Sequence, residues 1–213
     1  MSLRILPWWT DSAISFIEGF LESFNQSKPL IFEYGGGNST IYFLQKNLRV
    51  ITIEHDADWY EKLNKTAEIF VINNDNIDIR LSPRPYHKQI AAITDTVKNH
   101  PLSIVVVDGR DRVKCIRYST AFLYYHNIPH ILILDNAERL GSEYREARKI
   151  FDSCAYRRRY HFEQANIIAS NNYLQSLPDR AGWQAPHRWI TSIYFSEHCR
   201  EYSQLGHDLI ANG

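Results

Sequence analysis

Five short apolar runs, each followed by a longer stretch of helical period, constrain this chain more than any other feature. They are Leu30-Ile31-Phe32-Glu33-Tyr34, Val50-Ile51-Thr52-Ile53-Glu54, Ile77-Asp78-Ile79-Arg80-Leu81, Ile104-Val105-Val106-Val107-Asp108 and Ile131-Leu132-Ile133-Leu134-Asp135. Parallel neighbours need a crossover between them, so this alternation predicts βα units and a mainly parallel sheet. The fourth run is apolar on both faces, as a central strand covered by helices should be. Helical spacing links Ile14, Ile17, Phe20 and Phe24 after Asp11. Asp56 can cap a segment whose Trp59, Leu63 and Ala67 share a face. Ile90, Ile93 and Val97 mark another helix, followed by segments from Asp111 to Asn127 and from Glu138 to Asp152. From Tyr156 the pattern changes. Tyr160-His161-Phe162-Glu163 with Ile167-Ile168, then Trp189 to Phe195, predict two strands joined by a polar loop from Ser170 to Arg188. A final antiparallel hairpin would close the sheet.

The 213 residues are 44% apolar and 23% charged, which fits one ordinary globular domain. Lys+Arg and Asp+Glu both count 24, so no long-range field draws the chain to nucleic acid or an anionic membrane, and any anion site must be local. Cys115, Cys154 and Cys199 lie far apart without metal-finger spacing, and no leader or membrane span is evident. A soluble, cytoplasmic protein is expected, with no nucleic-acid or membrane partner. Self-association is left open.

Phe32-Glu33-Tyr34-Gly35-Gly36-Gly37-Asn38-Ser39-Thr40 is the sharpest local motif: a strand ends in three glycines and a helix begins at once. Glycines let a ligand approach bare backbone, and Ser39 or Thr40 can cap the helix whose N–H groups face that ligand. Glu54 ends the second run, nineteen residues after Gly35, where α/β folds place an acid on ribose hydroxyls. A dinucleotide loop would want a third glycine where Thr40 stands, and the acid Glu33 before the loop favours a cationic ligand over a pyrophosphate. The plainer alternative is a structural turn, with Glu33 and Glu54 solvated, His55 a surface or capping residue and Trp59 a helix-face aromatic.

Read as (E/D)-x-G-x-G through Glu33, Gly35 and Gly37, the turn resembles motif I of class I S-adenosylmethionine-dependent methyltransferases. The resemblance implies a single-domain, Rossmann-like α/β fold: a mostly parallel seven-stranded sheet with a C-terminal antiparallel strand. It implies an N-terminal helical cap over 1–28, a cofactor-binding core over 29–136, and a C-terminal helix and β-hairpin over 137–213. By the same resemblance Gly35, Gly36, Gly37, Asn38, Ser39 and Thr40 wrap the methionine moiety of S-adenosyl-L-methionine. Glu33 helps hold its amino group and Glu54 its ribose, while His55, Arg80 and Leu81 border the adenine.

In open α/β sheets ligands bind outside the carboxyl ends of the strands, which brings Asp108 and Asp135-Asn136 toward the reacting end of the cofactor. Two carboxylates and an amide oxygen suit Mg²⁺, and Asp108 can serve as metal ligand or as proton acceptor beside the methyl group. This Asp…Asp-Asn arrangement is similar to the metal site of catechol-type and caffeoyl-CoA-type O-methyltransferases. The chain departs from them, with Asp111 where those enzymes carry lysine and Asn127-Ile128-Pro129-His130 in place of a Pro-Gly-Gly turn. The structural alternative has Asp108 capping the next helix and Asp135-Asn136 forming a turn. Arg110 and Arg112 can clamp an acidic substrate group or pair with nearby carboxylates. Pro7-Trp8-Trp9 and the segment with Trp183, His187 and Trp189 are placed over the acceptor cleft. The expected activity is methyl transfer to an oxygen of a small-molecule acceptor. An NAD-dependent oxidoreductase and a non-catalytic, methyltransferase-like binding protein are the alternatives.

Overall fold

The computed structural model describes residues 5–24, 28–70, 74–138, 142–152, 155–165 and 188–199. The expected loop from Ser170 to Arg188 is described only at its last residue; Ile167-Ile168, Trp183 and His187 lie outside the described residues. Five parallel strands form as the apolar runs predict: β1 (Leu30–Tyr34), β2 (Arg49–Glu54), β3 (Ile77–Leu81), β4 (Ser103–Val107) and β5 (His130–Leu134). Two antiparallel strands follow, β6 (Tyr156–Ala165) and β7 (Arg188–Ser196), and the sheet order is β3-β2-β1-β4-β5-β7-β6. The hairpin therefore does not simply extend the sheet. Its second strand inserts beside β5 and its first strand becomes the edge.

Helices cover both faces. On one face α1 (Asp11–Ser23), α2 (Asn38–Gln45) and α3 (Ala57–Phe70) close over a core that includes Ile17, Phe20, Phe43 and Leu63. On the other, the turn His87–Ile93, α4 (Thr94–Lys98), α5 (Arg112–Tyr125) and α6 (Ser142–Phe151) cover Phe32, Val105, Val107 and Leu132. β1, β4 and β5 are buried at every position, as strands with both faces covered must be. Thr10 caps α1, its hydroxyl accepting the Ala13 amide, and Asp56 caps α3, Oδ1 accepting the Trp59 amide at 3.0 Å. Phe16 of α1 packs its ring on Tyr160, Phe162 and Phe195, which docks the N-terminal helix on the hairpin strands. Fully burying such a ring contributes roughly 1.5–3 kcal/mol. The segment read as one helix through Ile90, Ile93 and Val97 divides into a 3₁₀ turn and the short α4, with all three side chains still buried. No helix of the described residues is long and apolar enough to cross a membrane.

Candidate functional site

All the carboxyl-end turns of β1, β2 and β4 converge on one crevice edge, and the glycines set how closely. Gly35 has φ +88°, in the region that disfavours side chains, and a Cβ there would lie 2.4 Å from the Cα of Gly109 in the turn after β4. A Cβ on Gly36 would lie 2.3 Å from Leu63 Cδ2 and 2.5 Å from Thr52 Cγ2. Gly37 is different: its nearest neighbour would be Trp59 Cζ2 at 3.9 Å, an ordinary contact. The protein's own packing thus explains two of the three loop glycines and leaves open space at the third.

Glu33 braces this turn from beneath. Its carboxylate is fully buried, and Oε2 accepts the Thr40 hydroxyl at 2.6 Å and the Thr52 hydroxyl at 2.9 Å. Thr40 in turn accepts the Gly37 amide at 3.0 Å, linking loop backbone to acid. Burial pushes the Glu33 pKa up to about 7, against the opposing effect of the Thr40, Ser39 and Thr52 hydroxyls. One oxygen of the carboxylate is thus held by a hydroxyl of α2 and a hydroxyl of β2. Asn38, Ser39 and Thr40 form the buried first turn of α2.

Glu54 sits at the carboxyl end of β2, 3% exposed. Oε1 accepts the amides of His55 and Asp56 at 2.6 and 2.9 Å, Oε2 accepts the Gly36 amide at 3.3 Å, and His55 Nδ1 lies 2.8 Å from Oε1. The carboxylate thus ties the second strand to the glycine turn. Leu81 pairs with Glu54 in register and is 46% exposed, which leaves an apolar rim beside the acid. Arg80 does not join that rim: its guanidinium is held by Asp78, with Nη2 to Oδ2 at 2.6 Å.

Two residues outside the expected site complete it. The Trp59 indole N–H donates to the Gly36 carbonyl at 2.7 Å, so the ring stands beside the open space at Gly37. Tyr86, fully buried, stacks on His55 at 5.6 Å and 15°. Its hydroxyl donates to the Arg110 carbonyl at 2.7 Å and accepts the Arg110 amide. Nothing periodic marks Tyr86. Its only local signal is an aromatic after Pro83-Arg84-Pro85, between a strand and a helix.

The second cluster is organised around Arg112. Arg112 is 8% exposed; Nε donates to the Gly109 carbonyl at 3.0 Å, and Nη2 to the Asp108 carbonyl at 2.7 Å and to Asp108 Oδ1 at 2.9 Å. Nη1 donates to the Asp135 carbonyl. Burial disfavours the charge, but Asp108, Asp135 and Glu138, with Tyr144, outweigh it and hold the Arg112 pKa above its ordinary value. Asp135 is 2% exposed, and Oδ1 accepts the Thr191 hydroxyl at 3.2 Å. Burial and then the Asp108 charge push its pKa well above the carboxylate range. Among the described residues no three His, Cys, Asp or Glu side chains group as a metal site. The expected substrate clamp by Arg112 is corrected: its guanidinium lies buried between the two strand ends and donates to Gly109, Asp108 and Asp135. Nothing in this grouping supports the expected Mg²⁺ site. Arg110 remains exposed. Asp108 does not cap α5; Asp111 stands at that position with φ 49°, and Asn136, at φ 52°, turns the chain after β5.

No protein-family model and no curated protein matches this sequence. The fold does have relatives among solved structures. WbdD superposes with a TM-score of 0.52 at 12% identity, over 86% of this chain and 40% of that one. A SAM-dependent O-methyltransferase from Thermotoga maritima superposes at 0.50 and 12% identity, over 91% of this chain and 67% of that one. The chain has a class I S-adenosylmethionine-dependent methyltransferase fold. The METTL16 methyltransferase domain superposes at 0.50 and 6% identity, over 86% of this chain and 66% of that one. The turns after β1, β2 and β4 lie outside the carboxyl ends of the strands, the side on which open α/β sheets generally bind ligands. Neither the site nor these neighbours support an oxidoreductase. Thr40, where a dinucleotide loop would carry glycine, is fully buried and bonded to Glu33.

Proposed function

We propose that this chain is an S-adenosyl-L-methionine-dependent methyltransferase that acts on an oxygen of a small-molecule acceptor. The observation that carries the reading is the open space at Gly37, beside Trp59 and within the turn that Glu54 holds through the Gly36 amide. A bound S-adenosyl-L-methionine would supply an electrophilic methyl group on a sulfonium, so no nucleophilic protein residue is needed. Gly35, Gly36 and Gly37 would receive the methionine end against bare backbone, Glu54 the ribose hydroxyls, and Leu81 with the His55–Tyr86 pair would flank the base. Asp108 is the acid at the reacting end. Its side chain is 32% exposed and fixed through Arg112, which suits a carboxylate that takes the proton of an acceptor hydroxyl. Arg110, exposed on the same turn, is the remaining candidate for an acidic group on the acceptor.

The test is calorimetric titration with S-adenosylmethionine and S-adenosylhomocysteine, with NAD as control. Saturable binding to the sulfur ligands, weakened about tenfold or more by Glu54→Ala, is expected, the scale of one charge-assisted hydrogen bond. Absence of binding to both would withdraw the reading. With an acceptor in hand, Asp108→Asn is expected to abolish turnover and spare cofactor affinity. Binding without transfer across a broad acceptor panel would instead favour a non-catalytic binding protein.

A further inference from the structure

Tyr86 touches the turns after β2 and β4, although it lies on none of the strands that define the crevice. Its ring stacks on His55, whose Nδ1 lies 2.8 Å from the Glu54 carboxylate. Its hydroxyl closes a two-bond clamp on Arg110, donating to the carbonyl and accepting from the amide. That clamp fixes Gly109, whose amide donates to the Tyr34 carbonyl at 2.6 Å and whose backbone abuts Gly35. Asp108 precedes Gly109, and its own amide also donates to the Tyr34 carbonyl, at 3.1 Å. The phenol therefore joins the acid that ends β2 to the turn that carries the acid ending β4.

We infer that Tyr86 is a positioning residue that couples the two halves of the site: its ring sets the Glu54–His55 end, and its hydroxyl sets the Asp108–Arg110 turn. The inference rests on the methyltransferase reading for its ligand, but the clamp itself does not. One aromatic side chain bonded to both backbone polar groups of a single residue leaves that turn little freedom, because loosening it breaks two hydrogen bonds at once. Ligand contact with Glu54 should then quiet the Asp108 turn through the stacked rings and the Arg110 clamp.

The experiment uses the full chain and compares wild type, Tyr86→Phe and Tyr86→Leu by amide hydrogen exchange across residues 105–112, with and without saturating S-adenosylhomocysteine, alongside calorimetric affinities. In the absence of ligand, Tyr86→Phe is expected to speed exchange of the Arg110 amide about tenfold, since that amide loses its acceptor. S-adenosylhomocysteine is expected to slow exchange at Gly109 and Arg110 in wild type and to lose this effect in Tyr86→Phe. Tyr86→Leu, which also removes the ring, is expected to lose about tenfold in affinity. Unchanged ligand-free exchange, or ligand-induced protection that survives in Tyr86→Phe, overturns the inference. If wild type binds neither sulfur ligand, the methyltransferase reading fails on its own, and the ligand-free comparison still decides whether Tyr86 holds the turn. Tyr86→Phe keeps the buried ring, so a folding defect confined to Tyr86→Leu does not blunt the test.

Discussion

Gly35 and Gly109 meet backbone to backbone: a Cβ on Gly35 would lie 2.4 Å from the Gly109 Cα and 2.6 Å from its amide nitrogen. That contact closes the β1 turn against the β4 turn. Neither glycine has a substitute, because backbone cannot swing aside as a side chain can.

The three glycines of the loop should therefore separate by experiment. Gly35→Ala combines a positive φ, worth about 1–3 kcal/mol of strain, with a backbone collision, and is expected to unfold or severely destabilise the chain in urea titration. Gly37→Ala meets only Trp59, at 3.9 Å, and is expected to change stability by no more than about 1 kcal/mol. Its effect should fall instead on ligand affinity, lowered about tenfold for S-adenosylhomocysteine as the methyl group occupies the ligand's space. Equal stability losses for the two variants would remove the argument that Gly37 is kept open for a ligand.

The Glu33 pKa predicts a pH dependence with a definite sign. Its folded value of about 7 lies above the ordinary 4.5, so its stabilising contribution is complete below pH 4.5 and is lost as pH rises through 7. Between pH 6.5 and 8 the unfolded carboxylate is already ionised, and the folded one must give up its proton at a cost of about 1 kcal/mol. Buried His130 acts in the opposite direction, with its pKa lowered by burial to about 4, but it contributes only as pH falls below 6.5. Urea unfolding at pH 6.5 and 8 should show wild type losing about 1 kcal/mol more than Glu33→Gln over this interval. Parallel losses in both proteins would mean that Glu33 is ionised at neutral pH.

Arg110 and Arg112, two residues apart, should behave as different kinds of arginine. Removing the buried Arg112 charge strands Asp108 and Asp135 together and empties three carbonyl contacts, so Arg112→Met is expected to cost about 3 kcal/mol or more. Arg110 is exposed, and Arg110→Ala should change stability by less than about 0.5 kcal/mol. Comparable denaturation midpoints for the two variants would contradict the assignment of Arg112 as the cation of this cluster.

Much of the fold is written locally. The apolar runs, the caps Thr10 and Asp56 and the glycine turn each depend on residues within a few positions of one another, which is why they are legible without the structure. Strand-end placement likewise followed from the run boundaries, so Glu33, Glu54, Asp108 and Asp135 all lie at or beside the carboxyl ends of β1, β2, β4 and β5.

What each of those acids does was decided only in three dimensions. Sequence alone gave Arg110 and Arg112 equal standing, and burial separated them, sending one guanidinium between two strand ends and leaving the other in water. At Glu33 the tertiary structure brings two hydroxyls, one from α2 and one from β2, to one oxygen of the buried carboxylate. Tyr86 carried no periodic signal, and its partners His55 and Arg110 lie 31 and 24 residues away in the chain. Periodicity and glycine steric freedom are properties of neighbouring residues and determine elements and turns. The charge state and bonding of a buried group depend on which distant elements pack around it, and only the tertiary structure supplies that.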